Sequence, residues 1–354
     1  MTKTEDPLVS ICCITYNHEN YIRDAIEGFL MQETDFPFEI IIHDDASTDA
    51  TADIIREYER KYPDIIKPIY QTENQYSKGE KVTLFTLKAA RGKYIALCEG
   101  DDYWIDPLKL QKQINEMEKR PECYISFHPA IRRWIDGSRE DRLLGLHSDK
   151  IMVFSIDEVI LGGGGFMHTA SIVLNRLAIP RIISFFDTAK EAPVGDYFMQ
   201  ILGAEHGGAL YLSDVMSVYR YGVPGSWSRR VNSDPNHLAS WYRSIIICYN
   251  KMDIFTRKKY SKLFTILKKQ HYSSLIRSLY LDIETKKSII SADMDKIDVK
   301  DQILWNTIFK HPFIAQILRR GCQFVLQIRS YGNRGHPKNQ KTLKETPRRD
   351  IPGN

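Results

Sequence analysis

The sequence predicts an α/β fold: a predominantly parallel sheet flanked by helices, with a helical C-terminal extension. Three observations carry that expectation. Short apolar runs alternate with helical patterns through roughly the first 130 residues, the signature of β-α units. Helices of this length between strands imply parallel pairing through right-handed crossovers. Two of the apolar runs end in paired acids, Asp44-Asp45 and Asp101-Asp102, and open α/β sheets bind ligands at the carboxyl ends of their strands.

Each element has its own signal. "PLVSICCITYN" is an apolar strand, and Ile22, Ala25, Ile26, Phe29 and Leu30 form the inner face of the helix after it. "FEIIIHDDAS" is a second buried strand, and Asp49 then caps a helix bearing Ala52, Ile55, Tyr58 and Tyr62. "IKPIYQ" is a weaker third strand. Beyond the polar loop "TENQYSKGEK", a helix ends near Arg91-Gly92 and Tyr94 to Leu97 form a fourth strand. Pro107 opens the next helix, with Leu110, Ile114 and Met117 inward and Asp106 placed to cap it.

From about residue 150 to 230 the pattern loosens. Gly162 to Gly165 form a flexible run, "HTASIVLNR" alternates like a strand, "APVGDYFMQILGAEHG" is helical, and "ALYLSDVMSVYRYG" holds two short strands. Beyond Asp234 the chain is helical and basic, and after Tyr331 it is polar with Pro and Gly, the composition of a disordered tail. The expected organisation is a catalytic domain over 7–230, a helical extension over 231–331 and a basic tail over 332–354.

Composition fits a globular chain: 354 residues, 43% apolar and 27% charged. No apolar run approaches the ~20 residues that span a bilayer. "MTKTEDPLVS" lacks the apolar core of a signal peptide, so a cytoplasmic location is expected. The six cysteines form no CxxC pair and read as packing residues. The net charge of +4 conceals an asymmetry: residues 309–354 hold ten Lys/Arg against two Asp/Glu. Phe313, Ile314, Ile317, Leu318, Phe324, Val325 and Ile328 recur there at helical spacing beside Arg319, Arg320 and Arg329. That segment suits peripheral docking on an anionic membrane at its inner face, or packing on the catalytic domain. A nucleic-acid partner is not expected.

The chemistry concentrates in the acids. Glu99, Asp101 and Asp102 close the fourth strand around a single glycine, and like charges this close repel. A divalent cation with oxygen ligands resolves the conflict, and a solvated acidic loop is the alternative. Asp44 and Asp45 close the second strand, where a turn and helix cap would also use them. Other motifs fail at definite positions. Ala46 stands where a phosphatase DxDxT needs an acid, "GGGGFMHTA" lacks the GK[ST] of a P-loop, and "TYNHENY" replaces a Rossmann glycine turn.

"VSICCITYNHENYIRDAIEGFLMQ", "FEIIIHDDASTDAT" and "ARGKYIALCEGDDYWIDPLKLQ", in this order and spacing, resemble the inverting glycosyltransferases of family 2 and their nucleotide-sugar-binding GT-A fold. The resemblance is strong over residues 7–130 and thins towards 230. It implies that Thr15 and Tyr16 line the nucleotide base and ribose and that Asp45 accepts a hydrogen bond from uracil. It places Asp101 near the ribose and makes Asp102 the more direct ligand of Mg²⁺ or Mn²⁺. Asp196 in "VGDYF" matches the catalytic base, although Gly195 stands where a second acid often precedes it.

Smaller expectations attach to two loops. Lys78 and Lys81 in "QYSKGEK" suit a base or phosphate contact, or plain solvation. Arg220, Trp227, Arg229 and Arg230 in "RYGVPGSWSRR" suit a lid over the donor diphosphate, or a surface loop. The tetraglycine suits a close backbone approach to an acceptor, or mere flexibility. The implied function is inverting, metal-dependent transfer of a single sugar from a nucleotide donor, UDP-linked by the same resemblance. The acceptor would be a cell-surface glycan or its lipid-linked precursor. Processive relatives carry QxxRW, whereas "RRW" here follows Ala130 and lies early. A non-catalytic nucleotide- or glycan-binding module and a nucleotidyltransferase are the competing classes.

Overall fold

The computed structural model describes residues 6–193, 195–226, 229–230, 234–278, 280–290 and 297–310. The amphipathic segment from Phe313 onward, the basic tail and Trp227 lie outside the described residues.

The first half builds β1 (Val9–Thr15), α1 (Ile22–Leu30), β2 (Phe38–Asp44), α2 (Thr51–Lys61), β3 (Ile66–Tyr70), α3 (Thr83–Ala89) and β4 (Tyr94–Glu99). A short strand β5 (Tyr103–Trp104) and helix α4 (Lys109–Glu118) follow, then β6 (Ile125–Phe127), β7 (Ala130–Trp134), β8 (Arg142–Leu144) and β9 (Met152–Phe154). The chain continues through α5 (Ile156–Gly162), β10 (Val173–Asn175), α6 (Ile179–Thr188), α7 (Asp196–Ala204), β11 (Ala209–Tyr211) and β12 (Ser217–Tyr221). Helices α8 (Pro235–Phe255), α9 (Ser261–Arg277) and α10 (Ile283–Ile290) complete a compact unit that ends at Ile297. Helix α11 (Val299–Lys310) belongs to the separate unit beyond it.

Two sheets result. The larger has the order β3-β2-β1-β4-β10-β6-β11-β9, and the smaller has the order β5-β12-β7-β8. Strands β3, β2, β1 and β4 are mutually parallel, as their intervening helices require, while β10 runs antiparallel to both neighbours. Strands buried on both faces need continuous apolar sequence: Ile11, Cys13, Ile40, Ile42 and Ala96 are enclosed on one face and Cys12, Ile41, Ile95 and Leu97 on the other.

The amino ends of these strands are pinned by a buried polar network. Ser10 Oγ donates to Glu39 Oε1 at 2.7 Å and accepts the Gly92 N–H at 2.8 Å, while Arg91 Nη2 reaches Glu39 at 2.7 Å. A Cβ on Gly92 would stand 2.5 Å from the Ser10 backbone nitrogen, so only glycine allows the approach. With that end fixed, the register carries Thr15, Asp44 and Glu99 to the opposite edge. Helix α8 packs on the same unit, with Lys251 Nζ on the Thr188 carbonyl at 2.7 Å and Arg181 over the Phe255 ring at 4.7 Å.

Candidate active site

The acidic turn is built by close packing. Gly100 donates its N–H to the Ile14 carbonyl at 2.9 Å, which presses the turn after β4 onto the end of β1. A Cβ at Gly100 would lie 2.6 Å from Thr15 Oγ1 and 2.8 Å from Thr15 Cβ. Asp101 and Asp102 are therefore held against Thr15, and both are buried.

Arg220 in β12 clamps this turn. Its backbone N–H donates to Asp102 Oδ1 at 2.9 Å and its Nη1 to the Asp101 carbonyl at 2.9 Å. Nη2 meets Asp24 of α1, and the guanidinium lies 4.3 Å from the Tyr103 ring centroid. Arg220 is thus a strand residue committed to the acidic turn and Asp24 through its backbone N–H, Nη1 and Nη2, rather than a lid residue.

The opposite oxygen of Asp102, Oδ2, is buried and has no hydrogen-bond partner among the described residues. Burial, reinforced by the Asp101 and Glu99 charges, pushes the Asp102 pKa well up. Burial, then Asp101 and Asp196, pushes Glu99 up in the same way. Without a cation these groups tend to hold protons, and a divalent ion would let them ionise. Among the described residues no three His, Cys, Asp or Glu side chains converge as a metal site. Mg²⁺ does not require three: it commonly takes one or two carboxylates and fills its shell with phosphate oxygens and water. The orphaned Asp102 oxygen and the adjacent Asp101 fit that demand.

Asp196 begins α7, with Gly195 as the capping residue, and no side-chain cap bond forms there. Asp196 Oδ2 accepts from Thr169 Oγ1 at 3.5 Å. Burial lifts its pKa to about 6, against the pull of nearby backbone N–H groups and Thr169. Its charge reaches Glu99, so α7 and the end of β4 share one acidic cluster. The tetraglycine supports α7 from behind: Gln200 Nε2 donates to the Gly164 carbonyl at 3.4 Å and to that of Met167 at 3.1 Å.

The remaining candidates fall around this cluster. Thr15 is buried, and its Oγ1 lies 3.1 Å from His18 Nδ1, while Tyr16 is 43% exposed at the rim. Asp45 accepts the N–H groups of Gln75 at 2.8 Å and Tyr76 at 3.0 Å, so it organises the loop after β3. Each of its oxygens keeps a second lone pair. Lys81 Nζ donates to the Ala192 carbonyl at 2.5 Å, joining that loop to the one before Asp196, and burial lowers its pKa. Lys78 is exposed and paired with Glu73. Arg229 is exposed and reaches the Gly222 carbonyl at 3.3 Å, and Arg230 donates to Tyr76 Oη at 3.1 Å.

Two contributors escaped the sequence reading, and a third, Arg220, was expected at the donor diphosphate instead. His18 Nε2 stands 4.0 Å from Asp101 Oδ2, Thr169 touches Asp196, and the Arg220 backbone holds Asp102. Only His18 carried a signal, as a polar ring in the turn directly after β1.

Residues 10–172 match the model of Glycosyl transferase family 2. The uncharacterized protein Rv1520 of Mycobacterium tuberculosis is 39% identical over 221 residues, 62% of this chain and 60% of that one. The chain spans about 60% of the length of these curated relatives. The Escherichia coli UDP-Glc:alpha-D-GlcNAc-diphosphoundecaprenol beta-1,3-glucosyltransferase WfaP is 41% identical over 112 residues, 31% of this chain and 41% of that one. Staphylococcus aureus TarS 1-349 in complex with UDP-GlcNAc superimposes with a TM-score of 0.59 at 15% identity, covering 88% of each chain, which establishes a shared GT-A-type fold. Residues 10–172, the stretch similar to glycosyl transferase family 2, include both acidic strand ends.

Proposed function

We propose that the protein transfers a single sugar, with inversion, from a UDP-linked donor to a glycan or its lipid-linked precursor. The observation that carries this reading is the buried acidic cluster at the end of β4, with the half-buried Asp196 facing it from the first turn of α7. Asp101 and Asp102 would hold Mg²⁺ or Mn²⁺, which supplies charge neutralisation at a nucleoside diphosphate leaving group. Thr15, Tyr16 and Asp45 line the side where the base and ribose would lie. Arg229 and Trp227 are proposed to close over the donor. Lys81 is proposed to act on the nucleotide through the loop it anchors.

Asp196 takes the proton from the acceptor hydroxyl as that oxygen attacks the anomeric carbon. A pKa of about 6 leaves it ionised at neutral pH yet basic enough to accept the proton. Attack from the face opposite the departing diphosphate inverts the anomeric centre. The basic residues 309–354 would bring the enzyme to an anionic membrane surface carrying the acceptor. Among the described residues no helix is long and apolar enough to cross a membrane.

The test is a screen of nucleotide sugars against full-length protein, following nucleotide release with and without Mn²⁺ or Mg²⁺. Metal-dependent release from a UDP-sugar is expected. Binding of UDP-sugars with no turnover under any metal would make the chain a binding module.

A further inference from the structure

On one face of the smaller sheet two neighbouring cations, Arg132 and Arg142, have no counter-ion among the described residues. Arg132 of β7 is the register partner of both Arg142 on β8 and Tyr219 on β12, and Trp134 pairs with Tyr221 two residues further on. Residues two apart share a sheet face, so these five side chains lie together. The Arg132 guanidinium stands 5.6 Å from the Trp134 ring centroid and 5.4 Å from that of Tyr221, and Arg142 approaches Trp134 at 6.0 Å. Among the described residues, neither Arg132 nor Arg142 is within ion-pair distance of a carboxylate, and Arg132 Nε is buried with no hydrogen-bond partner. Arg133, pointing the other way, has Asp141 at 2.7 Å.

Like charges directly opposed across two strands destabilise a sheet, and a buried charged donor without an acceptor adds to that cost. One bound anion removes both. The location gives the anion a role. The His168 ring lies 4.3 Å from that of Tyr219, its buried Nδ1 also has no partner, and the next residue, Thr169, bonds Asp196. The cation pair therefore leads from the edge of the small sheet towards the proposed general base. Arg220, on the opposite face of the same strand, is committed to the acidic turn.

We propose that Arg132 and Arg142 form a subsite for a phosphate group carried by the acceptor next to the sugar that is extended. Planar guanidinium forks match phosphate oxygens two at a time, and two of them balance one dianionic group. The proposal deepens the reading of Asp196 as the base, because it names the chemistry of the molecule that base would deprotonate.

The experiment uses the full chain with its donor site filled by UDP and Mg²⁺, so that added phosphate reports the second site. Titration calorimetry with inorganic phosphate should show saturable binding that weakens about tenfold in Arg132→Gln and in Arg142→Gln. Arg60→Gln, the same charge change on an exposed position of α2, should bind as the wild type. Arg132→Gln should melt at or above the wild-type temperature, because a like-charge pair has been relieved.

Flotation with phosphatidylcholine vesicles containing phosphatidic acid, against phosphatidylcholine alone, separates a lipid-borne phosphate from a soluble one. Arg132-dependent signal in either arm supports the subsite and identifies its source. Wild-type protein that binds in neither arm, or Arg132→Gln that binds like wild type in both, overturns it. Failure of UDP itself to bind would refute the donor reading separately, and the Arg132→Gln comparison then proceeds without UDP.

Discussion

Replacing Asp196 with Asn separates a catalytic base from a helix-terminal acid, because the two roles demand opposite changes in stability. The folded-state pKa of about 6 stands above the ordinary 3.8, so folding disfavours the ionised carboxylate. The penalty is absent below the unfolded-state pKa, grows between the two values, and is complete above about 6. Its full size is about 3 kcal/mol, and partial exposure of the side chain reduces the expected gain in Asp196→Asn to about 1–2 kcal/mol at neutral pH. Loss of a negative charge from the first turn of α7 subtracts roughly 0.3–1 kcal/mol more. Asp196→Asn should therefore be as stable as wild type or slightly more so at pH 7.5, with the advantage disappearing near pH 4. At the same time kcat should fall by roughly 10²–10⁴, with UDP affinity intact. Paired denaturation curves at the two pH values, alongside transfer rates, provide the measurement. A variant that is destabilised at both pH values and keeps its specific activity would refute the argument and leave Asp196 as a helix-terminal residue.

Two further outcomes follow from the acidic turn. Asp102→Asn should remove metal-dependent turnover and abolish the rise in melting temperature that Mn²⁺ gives wild type in the presence of UDP. At 100 times its Kd, a ligand of the folded state adds about 2.7 kcal/mol, so equal melting shifts in the two proteins would exclude Asp102 as a ligand. Gly100→Ala places a methyl group 2.6 Å from Thr15 Oγ1. It should cost about 1–3 kcal/mol and raise the KM for the donor, and unaltered donor kinetics would show that the turn is not held by this contact.

Much of the fold was legible because long apolar strands and amphipathic helices each carry many residues of signal. β1, β2 and β4 lie where their apolar runs end, and both acid pairs fall at the predicted edge. Asp49, expected to cap α2, lies one residue ahead of the actual N-cap, Ala50, which makes no side-chain cap bond; Asp49 instead accepts the Thr51 N–H at 3.0 Å from outside the helix. The smaller sheet was not legible. Its strands are two to five residues long, and β12 pairs with β5 and β7 across more than eighty positions of sequence. "ALYLSDVMSVYRYG", read as two short strands, does hold β11 and β12, but local patterning cannot report such pairings, so Arg220 was assigned to a diphosphate when β12 commits it to the acidic turn. Asp45 was legible as a site acid, but its two amide donors come from a loop thirty residues away.

The grip of Arg220 constrains how this protein can vary. Side chains in a strand alternate between faces, so a slip of one residue in β12 exchanges the roles of neighbouring positions. Tyr219 would face Asp24 and the acidic turn, and the guanidinium of Arg220 would join Arg132 and Arg142 as a third unbalanced cation. Residues 212–216, which link β11 to β12, therefore cannot freely lose or gain a single residue, even though they lie outside both strands. Length changes between relatives should spare this link and accumulate instead beyond Tyr221, where no register has to be kept.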